Sequence, residues 1–306
     1  MSIINIIKSR ICKVEWWVAI REKKTGTLFF ENDLTQFIPI PNSFRYWAAD
    51  PFLIDFEGKT MLFVELYDRL KRKGLLGYMD ITNGGKSRFK TVFETNCHLS
   101  YPMCFIKEGN LYVIPESNNI KQLLLLKWDK ITEQFQEVKN FMKGYCLVDT
   151  NFISTDNGCY MLTTDVSLKD NVSTLSVFKH VGGDFKASPK NPVIQDKSLA
   201  RNGGMLIDYN NKKYRVSQDC SNGYGSGLNL IQIDAISMDE YKETLIKKIF
   251  PSDIKINGVK RFDGIHTYNS NGRYEIIDYK INNKFSIGEI LGFVLCKLGI
   301  FTKIEK

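Results

Sequence analysis

One hairpin pattern recurs five times along this chain of 306 residues. Each copy consists of a polar or turn residue, an apolar strand, a tight turn with Gly or Asn, and an aromatic-rich second strand. Successive turns lie 49 to 61 residues apart, at Gly58, Gly109, Gly158, Asn211 and Gly272. Such a period constrains the fold of the whole chain, because each copy is a unit that needs its neighbours to bury an apolar face.

Further strand-like runs follow each hairpin and bring the count to about four strands per repeat, which is one blade of a β-propeller. These runs are 75–81, 123–128, 174–178 and 228–233. A two-layer sandwich also holds many short strands, but it would not space one hairpin so evenly. We therefore predict an all-β, five-bladed β-propeller with a short C-terminal amphipathic helix.

The predicted organisation has three parts. Residues 1–46 carry strand-like runs that would close the propeller by joining its last blade, residues 47–284 form the five blades, and residues 285–306 form the C-terminal helix. A helical turn is also expected near 237–245. No apolar stretch reaches the roughly 18 uninterrupted residues of a membrane-spanning helix.

The C-terminal segment has an amphipathic pattern. Glu289, Phe293 and Lys297 fall on one side of a helix, and apolar residues occupy the rest. The helix is expected to pack on the body of the protein. The alternative is a peripheral membrane contact through 285–306, supported by flanking lysines at 284, 303 and 306.

The net charge of +8 is scattered along the chain rather than clustered. Its densest runs lie between apolar stretches, which favours solvated turns and argues against a nucleic-acid partner. The seven cysteines include no Cys-x-x-Cys pair. This pattern predicts free thiols and no metal site of the zinc type, in a cytoplasmic protein that contacts the inner membrane surface at most peripherally.

Polar residues recur at equivalent places in the repeats, and the inner strands of a propeller line one central channel. On or just before the first strand are Asp50, His98 with Ser100, Asp149, Arg201 and Asp263 with His266; at the end of the second strand are Glu65, Glu116, Asp165, Gln218 with Asp219, and Asp278. Aspartate often only closes a turn. Glu65 and Glu116, however, follow strongly apolar runs, where a carboxylate needs a partner or a function.

Carboxylates with an arginine, two histidines and aromatic rings are the chemistry expected of a sugar site. Carboxylates accept hydrogen bonds from hydroxyl groups, and rings such as Trp47 and Tyr224 would cover the apolar face of a pyranose. Cleavage of a glycosidic bond needs one protonated and one ionised carboxyl group, about 5–9.5 Å apart. The sequence leaves both catalysis and binding open.

Six ordered motifs resemble the N-terminal propeller domain of plant glucosamine inositolphosphorylceramide transferases and similar bacterial domains beside surface-polysaccharide proteins. They are WAADPF (47–52), HLSYP (98–102), IPES (114–117), LVDT (147–150), ARNGG (200–204) and QDCSNGYG (218–225). The chain more distantly resembles five-bladed arabinanases, xylosidases and fructosidases. That second resemblance implies Asp50, Glu116 and Asp149 as catalytic carboxylates; some of those enzymes hold a central calcium near a histidine such as His266, although no other cofactor is expected.

Two functions follow as alternatives. The first is a carbohydrate-active enzyme of surface-polysaccharide or glycolipid biosynthesis, which transfers or hydrolyses a glycosyl group of a glycan, glycolipid or activated sugar. Its substrate would be held by Glu65, His98, Tyr101, Asp165, Arg201, Gln218, Asp219 and His266, with Arg201 engaging a phosphate or sugar carboxylate. The second is a non-catalytic glycan-binding scaffold that positions substrate for a partner glycosyltransferase.

Overall fold

The structure is a computed structural model that describes residues 12–24, 26–29, 36–84, 88–285, 287–298 and 300. Its strands form five antiparallel sheets, each of which is one blade. The prediction of a five-bladed β-propeller with a short C-terminal helix is confirmed. The outer parts of the predicted terminal segments, residues 1–11 and 301–306, lie outside the described residues.

Each blade runs outwards from the channel through hydrogen-bonded neighbours. The first consists of β3 (Tyr46–Phe56), β4 (Lys59–Asp68), β5 (Lys73–Asp80) and β6 (Lys90–Phe93); the second of β7 (Ser100–Lys107), β8 (Asn110–Glu116), β9 (Leu123–Asp129) and β10 (Gln134–Phe141). The third consists of β11 (Leu147–Thr155), β12 (Gly158–Asp165), β13 (Thr174–Val181) and β14 (Asp184–Ala187), with β15 (Ile194–Gln195) also paired to β13. The fourth consists of β16 (Ile207–Tyr209), β17 (Lys212–Asp219), β18 (Gly227–Ile236) and β19 (Tyr241–Ile249).

The fifth blade combines both ends of the described chain. It consists of β20 (Tyr268–Ser270), β21 (Tyr274–Phe285), β1 (Cys12–Glu22) and β2 (Ile38–Ile40), and the helix α1 (Ile287–Lys297) follows. Strand β1 pairs with β21 along its length, from Cys12 opposite Phe285 to Glu22 opposite Tyr274. Main-chain hydrogen bonds therefore hold the two ends of the ring in one sheet.

The apolar core lies between neighbouring blades. Phe63 on β4 meets Trp128 on β9 and Phe135 on β10, with ring centroids 5.6 and 5.2 Å apart. These rings belong to a cluster that joins the first, second and third blades. The continuous apolar run of a strand such as β4 produces this packing, because successive side chains point to opposite faces and both faces of a blade lie against another blade.

The helical turn expected near 237–245 is wrong. Ser237 begins a tight turn instead, and its N–H donates to the carbonyl of Glu240 at 2.8 Å. The residues after it form β19, which pairs with β18 from Tyr241 opposite Ile236 to Ile249 opposite Leu228. The charged residues of this segment, in the pairs 242–243 and 247–248, suit the outer strand of a sheet, where lysine and glutamate discourage pairing with other chains.

Gly204 lies where the fourth blade meets the second and fifth. The Tyr101 hydroxyl donates to its carbonyl at 2.8 Å and accepts its N–H at 3.0 Å. Gly204 has a φ of +145°, and a Cβ there would lie 1.9 Å from the carbonyl oxygen of Tyr268. Neither the backbone conformation nor the space admits a side chain.

Gly204→Ala should therefore lower the free energy of unfolding by about 2 kcal/mol or more, measured by chemical denaturation. Gly272→Ala is the matched control, because nothing lies within 4 Å of the Cβ that it would add. The control should behave like the parent protein. Equal stability of the two variants would contradict this account of the blade contact.

Candidate functional site

Three consecutive inner strands make the same departure from regular pairing. Asp50, Tyr101 and Asp149 have φ angles of 47°, 44° and 48°, in the left-handed region. At each of them the inner strand carries one extra residue against its neighbour. Such a bulge re-aims the side chains around it. The structure thus makes Tyr101, rather than His98 or Ser100, the second-blade equivalent of the two aspartates.

Asp50 and Asp278 lie in one hydrogen-bonded cluster of the first, second and fifth blades. Asp278 Oδ1 accepts the backbone N–H groups of His266 and Thr267 at 3.0 and 2.9 Å. Its Oδ2 accepts the Asp50 N–H at 3.0 Å and lies 2.5 Å from His266 Nδ1. Asp50 accepts the Thr267 hydroxyl at 2.8 Å and the Tyr101 N–H at 3.1 Å.

His266 lies between these two carboxylates. Burial acts to lower the pKa of His266, but Asp278 and Asp50 outweigh it and raise that pKa above its ordinary value. Possible ligand atoms of Asp50, His266 and Asp278 lie within 4.8 Å of one another. Calcium takes about six to eight oxygen ligands, whereas both Asp278 oxygens already face two N–H donors each. These residues fit a protonated imidazole and do not fit the calcium ion suggested by the distant resemblance.

Asp149 and Glu116 meet at Arg201. The Arg201 guanidinium donates from Nε to Asp149 and from Nη1 to the carbonyl of Asn171 at 2.6 Å. Its Nη2 lies 3.6 Å from Glu116 Oε2. Gln218 Nε2 donates to Asp149 at 2.8 Å. Arg201 is 5% exposed. Its fork therefore orients carboxylates inside the protein, and the predicted contact with a phosphate or sugar carboxylate stays a prediction.

Glu116 is the carboxyl group most suited to carry a proton. Burial raises its pKa well above the ordinary value, and so do Asp149, through its charge and a hydrogen bond, and the charge of Asp50; Arg201 opposes them. Among the described residues, Glu116 Oε2 has no hydrogen-bond donor. An acceptor oxygen without a donor, beside another carboxylate, favours the neutral acid, which can itself donate.

Asp50 has a different charge balance. Burial raises its pKa to about 7; Asp149, Glu65 and Asp278 add to that rise, and His266 opposes it. Near neutral pH the Asp50 carboxyl group is therefore close to half ionised. Two carboxyl groups with separate proton affinities are the arrangement that divides acid and base roles in catalysis.

Glu65 and His98 form a second polar group beside the first blade. His98 Nδ1 accepts the Gly74 N–H at 3.0 Å, and its Nε2 lies 3.2 Å from Glu65 Oε1. The His98 side chain is 35% exposed and that of Glu65 9%. His98 is thus partly accessible to solvent, and Gly74 is required because a Cβ there would lie 2.3 Å from the carbonyl oxygen of Leu99.

Asp165 and Asp219 close turns. Asp165 Oδ1 accepts the Ser167 N–H and hydroxyl at 3.0 and 2.6 Å, and Asp219 Oδ1 accepts those of Ser221 at 3.0 and 2.5 Å. Asp219 also pairs with Lys248 at 3.5 Å. The Asp-x-Ser spacing is the sequence signal of such turns. Like the fully buried Tyr101, these aspartates hold strands and loops in place around the site.

Aromatic rings surround the carboxyl groups. Trp16 stacks on His266 with ring centroids 3.8 Å apart, and Tyr224 meets both edge-on. Trp47 stacks on Tyr67 at 4.4 Å. Tyr224 is 39% exposed and offers an open ring face or edge to a ligand. Sequence reasoning missed Trp16, because only the pairing of β1 with β21 brings it against His266.

Comparisons with known proteins agree with these motifs. The sequence model of the family described as "Glucosamine inositolphosphorylceramide transferase 1, N-terminal" matches residues 39–273. The chain belongs to this family. It is 28% identical over 265 residues to glucosamine inositolphosphorylceramide transferase 1 of Arabidopsis thaliana, covering 83% of this chain and 32% of the plant protein. It is 30% identical over 206 residues to the protein of that name from Oryza sativa subsp. indica, covering 64% and 27%.

The plant relatives are longer than this chain, and the solved structures resemble it in fold. The chain spans about a third of the length of the Arabidopsis relative. Among solved structures, it resembles the catalytic domain of the Coprinopsis cinerea GH62 α-L-arabinofuranosidase, with a TM-score of 0.57, 12% identity, and coverage of 88% of this chain and 98% of that one. It also resembles the RS223 β-xylosidase, with a TM-score of 0.51, 10% identity, and coverage of 78% and 92%. At these identities the likeness establishes the fold.

Proposed function

We propose that this propeller is a carbohydrate-active enzyme that transfers or hydrolyses a glycosyl group of a glycan, glycolipid or activated sugar in surface-polysaccharide or glycolipid biosynthesis. The observation that carries the proposal is the cluster of Asp50, Glu116 and Asp149, which three consecutive blades supply. Two of these groups have raised pKa values in the directions that acid–base catalysis requires. The carbohydrate-related relatives support the substrate class.

The residues divide the chemistry between them. Glu116 donates its proton to the oxygen of the leaving group, which avoids expulsion of an alkoxide. Asp50 in its ionised form accepts a proton from the attacking water or acceptor hydroxyl. Asp149, held by Arg201 and Gln218, keeps Glu116 protonated and balances positive charge that develops on the sugar ring. Tyr224 and His98 line the open side and contact the sugar.

Asp50→Asn tests this proposal. Purified protein is screened against nucleotide sugars and glycans, with and without acceptors, and turnover is followed by product chromatography. We expect a loss of about 10²-fold or more in turnover for the variant, because asparagine cannot accept the proton. In the parent protein, the rate should fall as the pH drops below about 7, where Asp50 becomes protonated.

The matched control is Asp129→Asn, at an exposed turn aspartate that accepts the Ile131 N–H at 2.9 Å. It should retain parent activity. A thermal melt of each variant separates chemistry from misfolding, since Asp50 also holds two inter-blade hydrogen bonds. Undiminished turnover by folded Asp50→Asn protein would overturn the assignment.

A non-catalytic glycan-binding scaffold is the second candidate. It is favoured by Gln218, whose backbone N–H donates to the carbonyl of Arg201 in the segment before β16. Gln218 occupies a place where the first two blades have Glu65 and Glu116. The limited share of the plant relatives that the chain covers also allows a separate catalytic partner. Tight glycan binding without turnover, unchanged in Asp50→Asn, would support this candidate.

A further inference from the structure

The helix α1 turns its apolar stripe away from the propeller. Ile287, Leu291, Val294 and Leu298 follow the spacing of one helix face, and they are 61%, 40%, 43% and 68% exposed. A helix that serves only to complete a protein core buries this face. The expectation that the helix packs on the body holds for its position, but the packing uses the opposite side.

Close backbone contact fixes this orientation. A Cβ at Gly292 would lie 1.9 Å from the carbonyl oxygen of Arg69, and one at Gly288 would lie 2.6 Å from that of Phe44. Glu289, on the same side, is 8% exposed. The two glycines let the helix lie directly on the chain beneath it. Rotation of the helix to bury the leucines would place larger side chains where only glycine fits.

The buried side of the helix lies beside the site. The Glu289 charge is among the causes that, after burial, raise the pKa of Tyr67, and Tyr67 stacks on Trp47 near the channel. Phe44, whose backbone contacts the helix, is itself 59% exposed. The apolar surface therefore continues from the helix onto the loop before the first blade.

The size and charge of this surface indicate its partner. An 11-residue helix is about 16 Å long and presents few side chains, whereas a stable protein interface takes about 20 residues or more on each side. Residues 284–306 carry four lysines and two glutamates, and one of those glutamates is turned inwards. Within the described part of the chain, no helix is long and apolar enough to span a membrane.

We propose that the stripe of Ile287, Leu291, Val294 and Leu298 lies in the interface of an anionic lipid bilayer, parallel to its surface. The apolar side chains enter the boundary between headgroups and acyl chains, and the excess of lysine over glutamate in residues 284–306 favours anionic headgroups. Tyr67, whose ring centroid lies 6.4 Å from that of the partly exposed His98, then lies on the side of the site nearest the membrane, where a lipid-linked saccharide would be presented. The docking does not depend on which chemistry the carboxyl groups perform.

The experiment is sedimentation of the full chain with vesicles of phosphatidylcholine and phosphatidylglycerol, compared with phosphatidylcholine alone. We expect binding to the anionic vesicles, weakened by high salt. The double variant Leu291→Glu/Leu298→Glu should bind about tenfold less or weaker still. Ile131→Glu is the matched control, because Ile131 is 91% exposed on a turn of the second blade, and it should bind like the parent.

Each other outcome overturns the proposal. If the parent protein does not sediment with anionic vesicles, the stripe is not a membrane contact. If light scattering instead finds a dimer that the double variant dissociates, the stripe is an interface between copies. Melting of the double variant establishes that it is folded, and turnover on a water-soluble substrate reports on the carboxyl groups independently.

Discussion

Arg201→Met should lower the free energy of unfolding by about 3–5 kcal/mol, the usual result of removing one partner from a buried ion pair. Arg201 is the cation between Asp149 and Glu116, and it is 5% exposed. Methionine fills much of the same volume but leaves the Asp149 carboxylate buried without its counter-ion. Urea denaturation followed by circular dichroism measures the loss.

A second variant tests whether the unpaired Asp149 carboxylate causes the loss of stability. Arg201→Met/Asp149→Asn removes the uncompensated charge together with its partner, so it should recover part of the lost stability. Lys213→Met is the surface control, because it breaks an exposed pair with Asp208, and it should shift the midpoint little. A parent-like midpoint for Arg201→Met would contradict this account of the buried ion pair.

Glu116→Gln should lower turnover by about 10²- to 10⁴-fold, the range usual for loss of a general acid. Glutamine has nearly the same shape but cannot donate a proton to a leaving oxygen at neutral pH. The effect should be large for substrates with poor leaving groups and small for activated aryl glycosides. Comparison of kcat on the two substrate types is the measurement.

The pH profile adds an independent reading. The pKa of Glu116 is raised well above its ordinary value, so the parent rate should fall at alkaline pH as Glu116 loses its proton. This alkaline fall should be absent in Glu116→Gln. Glu137→Gln, at an exposed position on the second blade, should keep both the rate and the profile. An equal loss on activated and unactivated substrates would contradict the acid role.

The carboxyl groups were within reach of sequence reasoning, but their roles were not. Glu65 and Glu116 stand out because each follows an apolar run, and Asp50 and Asp149 because they recur in register. Which aspartates close turns depends on the serine two residues onward, a local signal at Asp165 and Asp219 that the repeat pattern obscured. The use of Arg201 inside the protein depends on three partners distant in the chain, which no local pattern reveals.

The sequence by itself determined the five blades, since alternating apolar strands and evenly spaced turns have one efficient way to bury their faces. It also placed an amphipathic segment at the C-terminus. Only the tertiary structure decided how the charges are shared and which side of the helix is buried. Burial and neighbouring charges set the pKa values of Asp50 and Glu116, and the close approach of Gly288 and Gly292 to the chain beneath them turned the leucines outwards. Both depend on contacts between residues far apart in sequence.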